Sequence, residues 1–167
     1  VELDSNLQGG GQKPSLYRDE MAKLYAITNN QVASLKKIGF YGERAHANES
    51  KALINVGTKD NKAEQVKTFW HEFGHHLEFS NPEYKQAATE WRNARATSDK
   101  PQQLKYYPDG EMALPGKFVD PYVGKVYWDG STEVVAMGLE RFVNAREAAH
   151  FYRQDKEHFL LILGMLR

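Results

Sequence analysis

His71, Glu72 and His75 stand together in the stretch TFWHEFGHHLEFS (Thr68–Ser80), which holds three of the chain's six histidines. Neutral imidazoles are good ligands for divalent metals. A separation of four residues on a helix is a turn of about 400°, so His71 and His75 project from one face and can share one ion. Glu72 directly follows the first histidine, where its carboxylate reaches a water held by that ion. Two ligands and a general base on one turn of helix suit metal-assisted hydrolysis. His76 lies about 100° further round the helix, off the ligand face, and is expected in a supporting or surface role.

The residues around the motif say what kind of helix carries it. Phe69, Trp70, Phe73 and Leu77 make it largely apolar, hence buried, and buried histidines need partners or a task. Gly74 costs about 1 kcal/mol against alanine inside a helix, which implies that another element packs closely there. A catalytic zinc generally has three protein ligands and one open position. A third histidine six residues after the second is one solution, but Asn81 occupies that position. A glutamate from a later helix is another, and STEVVAMGLERF offers Glu133 and Glu140, which fall on roughly the same face. The chain has no cysteine, which excludes thiolate ligands, a thiol nucleophile and disulfides.

The elements that must position these groups follow from periodicity and punctuation. Residues 1–14, with Gly9, Gly10, Gly11 and Pro14, predict a linker or disordered lead-in, and 15–167 a single domain. Leu16, Met21, Leu24 and Tyr25 predict a helix, followed by a second short one in NQVASLKK. Short apolar stretches either side of ANESK predict strands or a hairpin. The motif helix is expected from about Asn61 to Phe79, and the next begins at Pro82. Ser98 to Gly130 reads as a long loop with short strands, STEVVAMGLERFVNA as a helix capped by Ser131 or Thr132, and DKEHFLLILGMLR as a last helix capped by Asp155. The fold class is α+β.

Charge narrows the function. Lysine plus arginine equals aspartate plus glutamate at 22 each, so no net field draws the chain to nucleic acid or to an anionic membrane. The longest apolar run, FLLILGML, is far short of the ~20 residues that span a bilayer. With Val1 first and no signal-peptide pattern, the chain reads as part of a larger parent chain or a processed product, which leaves its localisation open.

HEFGH followed by a helix containing TEVVA resembles the gluzincin peptidases, whose ligand glutamate lies in an Asn/Thr-Glu-x-x-Ala segment. That resemblance implies Zn2+ held by His71, His75 and Glu133, with Glu140 orienting a histidine. The family's usual supporting acid stands four residues after the ligand glutamate, where this chain has Met137. Anthrax lethal-factor-like peptidases share the layout and place a tyrosine shortly before that glutamate. Tyr127, or failing that Tyr122, matches it as hydrogen-bond donor to the oxyanion.

Over roughly the last hundred residues, HEFGHHLE, YVGKVYWDGSTEVVAMGLERF and DKEHFLLILGMLR together resemble the C-terminal zincin-like domain of phage and prophage head-morphogenesis (minor head) proteins. Residues 1–60 carry no such likeness. The expectation is an α+β, zincin-like fold with a small mixed sheet packed on the His-Glu-x-x-His helix. Its function would be metalloendopeptidase cleavage of a protein or peptide substrate, by a phage-related processing protease or a delivered effector or toxin. The alternative is a non-catalytic head-assembly module with a structural zinc site. Zincins set an edge strand beside the active-site helix, and RAHANESKALINVG is the candidate for it.

Overall fold

Most of the apolar periodicities find their element in the computed structural model, which describes residues 1–9, 11–58 and 61–166. A four-stranded mixed sheet has the order β1-β2-β4-β3, built from β1 (Glu2–Leu3), β2 (Lys37–Gly39), β3 (His46–Asn48) and β4 (Leu53–Asn55). β1, β2 and β4 run parallel, with Ile38 opposite Ile54 at the centre, and β3 returns antiparallel to β4 as an edge strand. The expected hairpin is therefore β3 and β4. The helices are α1 (Asn6–Gly9), α2 (Pro14–Ile27), α3 (Lys62–Ser80), α4 (Pro82–Arg95), α5 (Val134–Leu139), α6 (Ala145–Gln154) and α7 (Lys156–Met165). Between α4 and α5 the long loop carries the two-stranded ribbon β5 (Gln102–Gln103) and β6 (Met112–Ala113).

Helix α3 is the axle. Its N-terminus is capped by Asn61, whose side chain accepts the Glu64 N–H at 2.9 Å. Its apolar face buries Phe69, Trp70, Phe73 and Leu77 in a core that also takes Leu7, Ile38, Ile54, Val134, Leu139 and Ile162. At Gly74 a Cβ would stand 2.6 Å from Ala136 Cα, so α5 lies directly on the motif helix and only glycine fits. His158 of α7 clamps the far side of α5, with Nε2 donating to the Val134 carbonyl at 2.8 Å. Asp155 caps α7 by accepting the His158 N–H at 3.0 Å. Among the described residues no helix is long and apolar enough to cross a membrane.

Three expectations are corrected. Residues 1–14 are not a free lead-in: Glu2 and Leu3 pair with Lys37 and Ile38, and Leu7 is fully buried. Gln12 donates to the Gly57 carbonyl at 2.9 Å and accepts the Tyr17 hydroxyl at 2.6 Å, so polar residues there serve the interior. Gly10 lies outside the described residues. NQVASLKK forms no helix, because Asn29 and Asn30 turn left-handed at φ 48 and 59. The N–H groups of Lys36 and Lys37 then bond the Ala52 carbonyl, committing the segment to the sheet. The helix expected over STEVVAMGLERFVNA is shorter. It begins at Val134 without a side-chain cap at Glu133 and tightens into a 3-10 turn at Glu140–Phe142. A separate helix, α6, follows, capped by Asn144 accepting the Glu147 N–H at 2.9 Å.

Candidate metal centre

His71 and His75 project from α3 into a cleft of about 340 Å3, their rings edge-on with centroids 5.0 Å apart. Across the cleft the start of α5 delivers Glu133, only 1% exposed, whose Oε2 stands 3.2 Å from His71 Nε2 and 3.4 Å from His75 Nε2. Neither approach is aligned as a hydrogen bond, so Glu133 Oε2 is a buried acceptor without a donor. Glu140, from the turn after α5, accepts from His71 Nδ1 at 2.9 Å. That bond puts a proton on Nδ1 and leaves Nε2 facing Glu133, where it can hold either a metal or a second proton.

Lone pairs converging in this way repel unless a proton or a cation lies among them. Their spacing fits a cation: ligands about 2.0–2.1 Å from a tetrahedral ion stand about 3.3–3.4 Å apart. The same field acts on protons. Burial opposes charge on His71, but the Glu133 and Glu140 carboxylates outweigh it and raise the imidazole well above its ordinary range. Burial would likewise raise Glu133, yet the His75 and His71 imidazoles hold it far below the usual carboxylate range.

Glu72 is the remaining acid. One atom each of His71, Glu72 and His75 lie within 4.8 Å of one another, and these residues could by themselves hold a metal. Glu133, however, is the carboxylate close to both imidazole nitrogens. Glu72 lines the cleft at 7% exposure and accepts no hydrogen bond from the described residues, so its lone pairs are free.

Tyr127 and Tyr122 both line the cleft. The Tyr127 hydroxyl donates to Glu133 Oε1, and its ring meets His75 edge-on with centroids 6.4 Å apart. Burial first, and then the Glu133 carboxylate, push the phenol far above its usual range, so it stays protonated. Lys125 donates to the Tyr122 hydroxyl at 2.8 Å and pairs with Glu111 at 2.7 Å. Tyr122 is therefore an acceptor toward Lys125.

His76 stands apart from the cleft. It is fully buried, its Nε2 bonds the Leu53 carbonyl at 3.0 Å, and its Nδ1 bonds Ser34 Oγ at 2.9 Å. Burial pushes it down to about 4, so it is a neutral tie between α3 and β4 rather than a surface or supporting group.

Sequence reasoning missed Glu78, Lys67 and Lys125. Glu78, 1% exposed, accepts the Thr132 N–H at 2.8 Å and its hydroxyl at 2.7 Å, gripping the residue next to Glu133. Its position on the same helical stripe as His71 and His75 was a usable signal. Lys67, one turn before His71, holds the other oxygen of Glu140 at 3.2 Å. No family model, no curated protein and no solved structure matches this chain.

Proposed function

We propose that this chain is a zinc-dependent metalloendopeptidase of gluzincin type, with His71, His75 and Glu133 as the metal's protein ligands. One observation carries the reading: two imidazole nitrogens stand 3.2 and 3.4 Å from a buried carboxylate oxygen that has no donor. Two nitrogens and one carboxylate oxygen form a zinc donor set of the catalytic kind. When bound there, zinc supplies Lewis acidity and lowers the pKa of a water.

The chain's own residues do the rest. Glu72, with its lone pairs free, takes a proton from the attacking water and passes it to the leaving amine. Glu140 fixes the His71 tautomer, and Lys67 steadies Glu140. Tyr127 spends its proton on Glu133 and so positions that carboxylate. Tyr122 accepts from Lys125, which leaves its hydroxyl hydrogen free to donate to the developing oxyanion.

The substrate is an extended polypeptide. β3 pairs with β4 on one side, its outer edge is unpaired among the described residues, and His46 and Ala47 line the cleft. A peptide adding there as a strand is held by its backbone, whatever its sequence. A small mixed sheet packed with the motif helix supports the zincin-like reading of the fold. A phage-related processing protease and a delivered effector or toxin would use this same chemistry.

The test is incubation of the purified, zinc-loaded protein with an unstructured protein such as casein, with fragments identified by mass spectrometry. Fragments are expected from the wild type and none from Glu72→Gln, with one zinc in each. Equal cleavage by both proteins would contradict the role of Glu72. A zinc-bearing but inert wild type would make this a structural zinc site in an assembly module.

A further inference from the structure

Trp128 has 98% of its surface in water, whereas Trp70, at 3%, is buried and Trp91 packs against Phe118 and His158. An exposed indole on a loose loop would mean little. This one sits on a turn closed by the Gly130 N–H bonding the Tyr127 carbonyl at 3.1 Å, with Gly130 at φ 75. Asp129 Oδ1 accepts the Ser131 N–H at 2.9 Å, and Lys85 Nζ reaches over from α4 to the Asp129 carbonyl at 3.0 Å. Three bonds thus fix the backbone that presents the side chain, so docking onto it requires little ordering of the loop. The turn also belongs to the cleft: the neighbours of Trp128 on both sides, Tyr127 and Asp129, line it.

We propose that Trp128 is a specificity-determining residue, whose indole packs against a large apolar or aromatic side chain of the polypeptide being cleaved. The proposal rests on the peptidase reading of the centre. Tryptophan contributes about 150–250 Å2 of mostly apolar surface in typical contacts, and a solvent-facing indole presented on a fixed backbone gains most when a partner side chain covers it. The cleft wall mixes the charged groups Arg44, Glu72, Glu111, Lys125 and Asp129 with smaller apolar contributions, and it offers no apolar surface as large and as freely exposed as the Trp128 indole beside it. A large apolar side chain leaving the cleft beside Tyr127 and Asp129 would meet that indole.

The experiment maps cleavage sites of zinc-loaded wild type, Trp128→Ala and Trp128→Phe on a proteome-derived peptide library by mass spectrometry. It then measures kcat and KM on the best peptide. Wild type should favour a large apolar side chain at one fixed position relative to the cut. Trp128→Ala should lose that preference and raise KM about tenfold, with kcat and zinc content unchanged. Trp128→Phe should keep the preference. A wild-type profile and KM in Trp128→Ala would overturn the proposal and leave the peptidase reading standing. A wild-type preference for a basic side chain that disappears in Trp128→Ala would overturn the apolar assignment. A wild type that cleaves nothing would overturn the peptidase reading and this proposal together.

Discussion

Helix α3 buries polar groups on two sides, and the two sides are finished differently. Toward the sheet, His76 has a partner for each ring nitrogen, in Leu53 and Ser34. One turn from the cleft, Glu78 has both oxygens satisfied by Thr132. Within the cleft, Glu133 is as deeply buried as Glu78, yet its Oε2 has two imidazole nitrogens close by and no donor. Burial alone therefore does not mark a functional group here. A closed set of hydrogen bonds suits a structural role, and the open set of converging groups at Glu133 supports the proposed ligand site.

The largest test of that contrast is to exchange the two carboxylates' fates. Glu133→Ala should remove zinc and activity while the protein stays folded, read by metal analysis after dialysis and by circular dichroism. Glu78→Gln should instead leave the donor set intact. Next in size, Tyr122→Phe should lower kcat on the order of 10²-fold with zinc retained, as loss of one oxyanion donor does. Tyr127→Phe should weaken zinc binding more than it lowers kcat. If Tyr127→Phe shows the larger kcat loss with zinc unchanged, the two tyrosines exchange roles.

Glu140→Ala should weaken zinc affinity by about 10–100-fold, measured by competition with a chelating dye. On the structural side, Glu78→Gln should cost on the order of 1–3 kcal/mol in urea unfolding, because the amide NH2 cannot accept and one of the two Thr132 donors loses its acceptor. The gentlest test is pH. Buried His76 and His158 are pushed down to about 4 from an ordinary value near 6.5, so the unfolded chain binds more protons between those values. Their stabilising contribution is complete above about pH 6.5 and is lost as pH falls toward 4, each at up to about 1.4 kcal/mol per pH unit. His158→Gln, which keeps an N–H for Val134, should flatten part of that slope in denaturant titrations across the window.

Local structure was legible in the sequence. The His71–His75 spacing, the Asp155 cap, the β3–β4 hairpin and the close approach at Gly74 each depend on neighbours within a turn or on one backbone property. What stayed hidden depends on distant partners. β1 is two residues long and becomes a strand only through β2, so its polar, glycine-rich surroundings read as a linker. NQVASLKK read as a short helix, but the N–H groups of Lys36 and Lys37 are claimed by the Ala52 carbonyl across the sheet. Glu78 acquires its role only from Thr132, which lies 54 residues further along the chain. α6 was missed despite its Asn144-x-x-Glu147 cap, because the apolar run before it reads as one continuous helix.

The most direct measurement is X-ray absorption at the zinc edge on wild type and Glu133→Ala, each dialysed against buffer containing equimolar zinc. The account predicts one tightly held zinc in the wild type, with two imidazole nitrogens and one carboxylate oxygen at about 2.0–2.2 Å, and none retained by the variant. A wild type that binds no zinc, or a variant that keeps the same ion in the same shell, would contradict it.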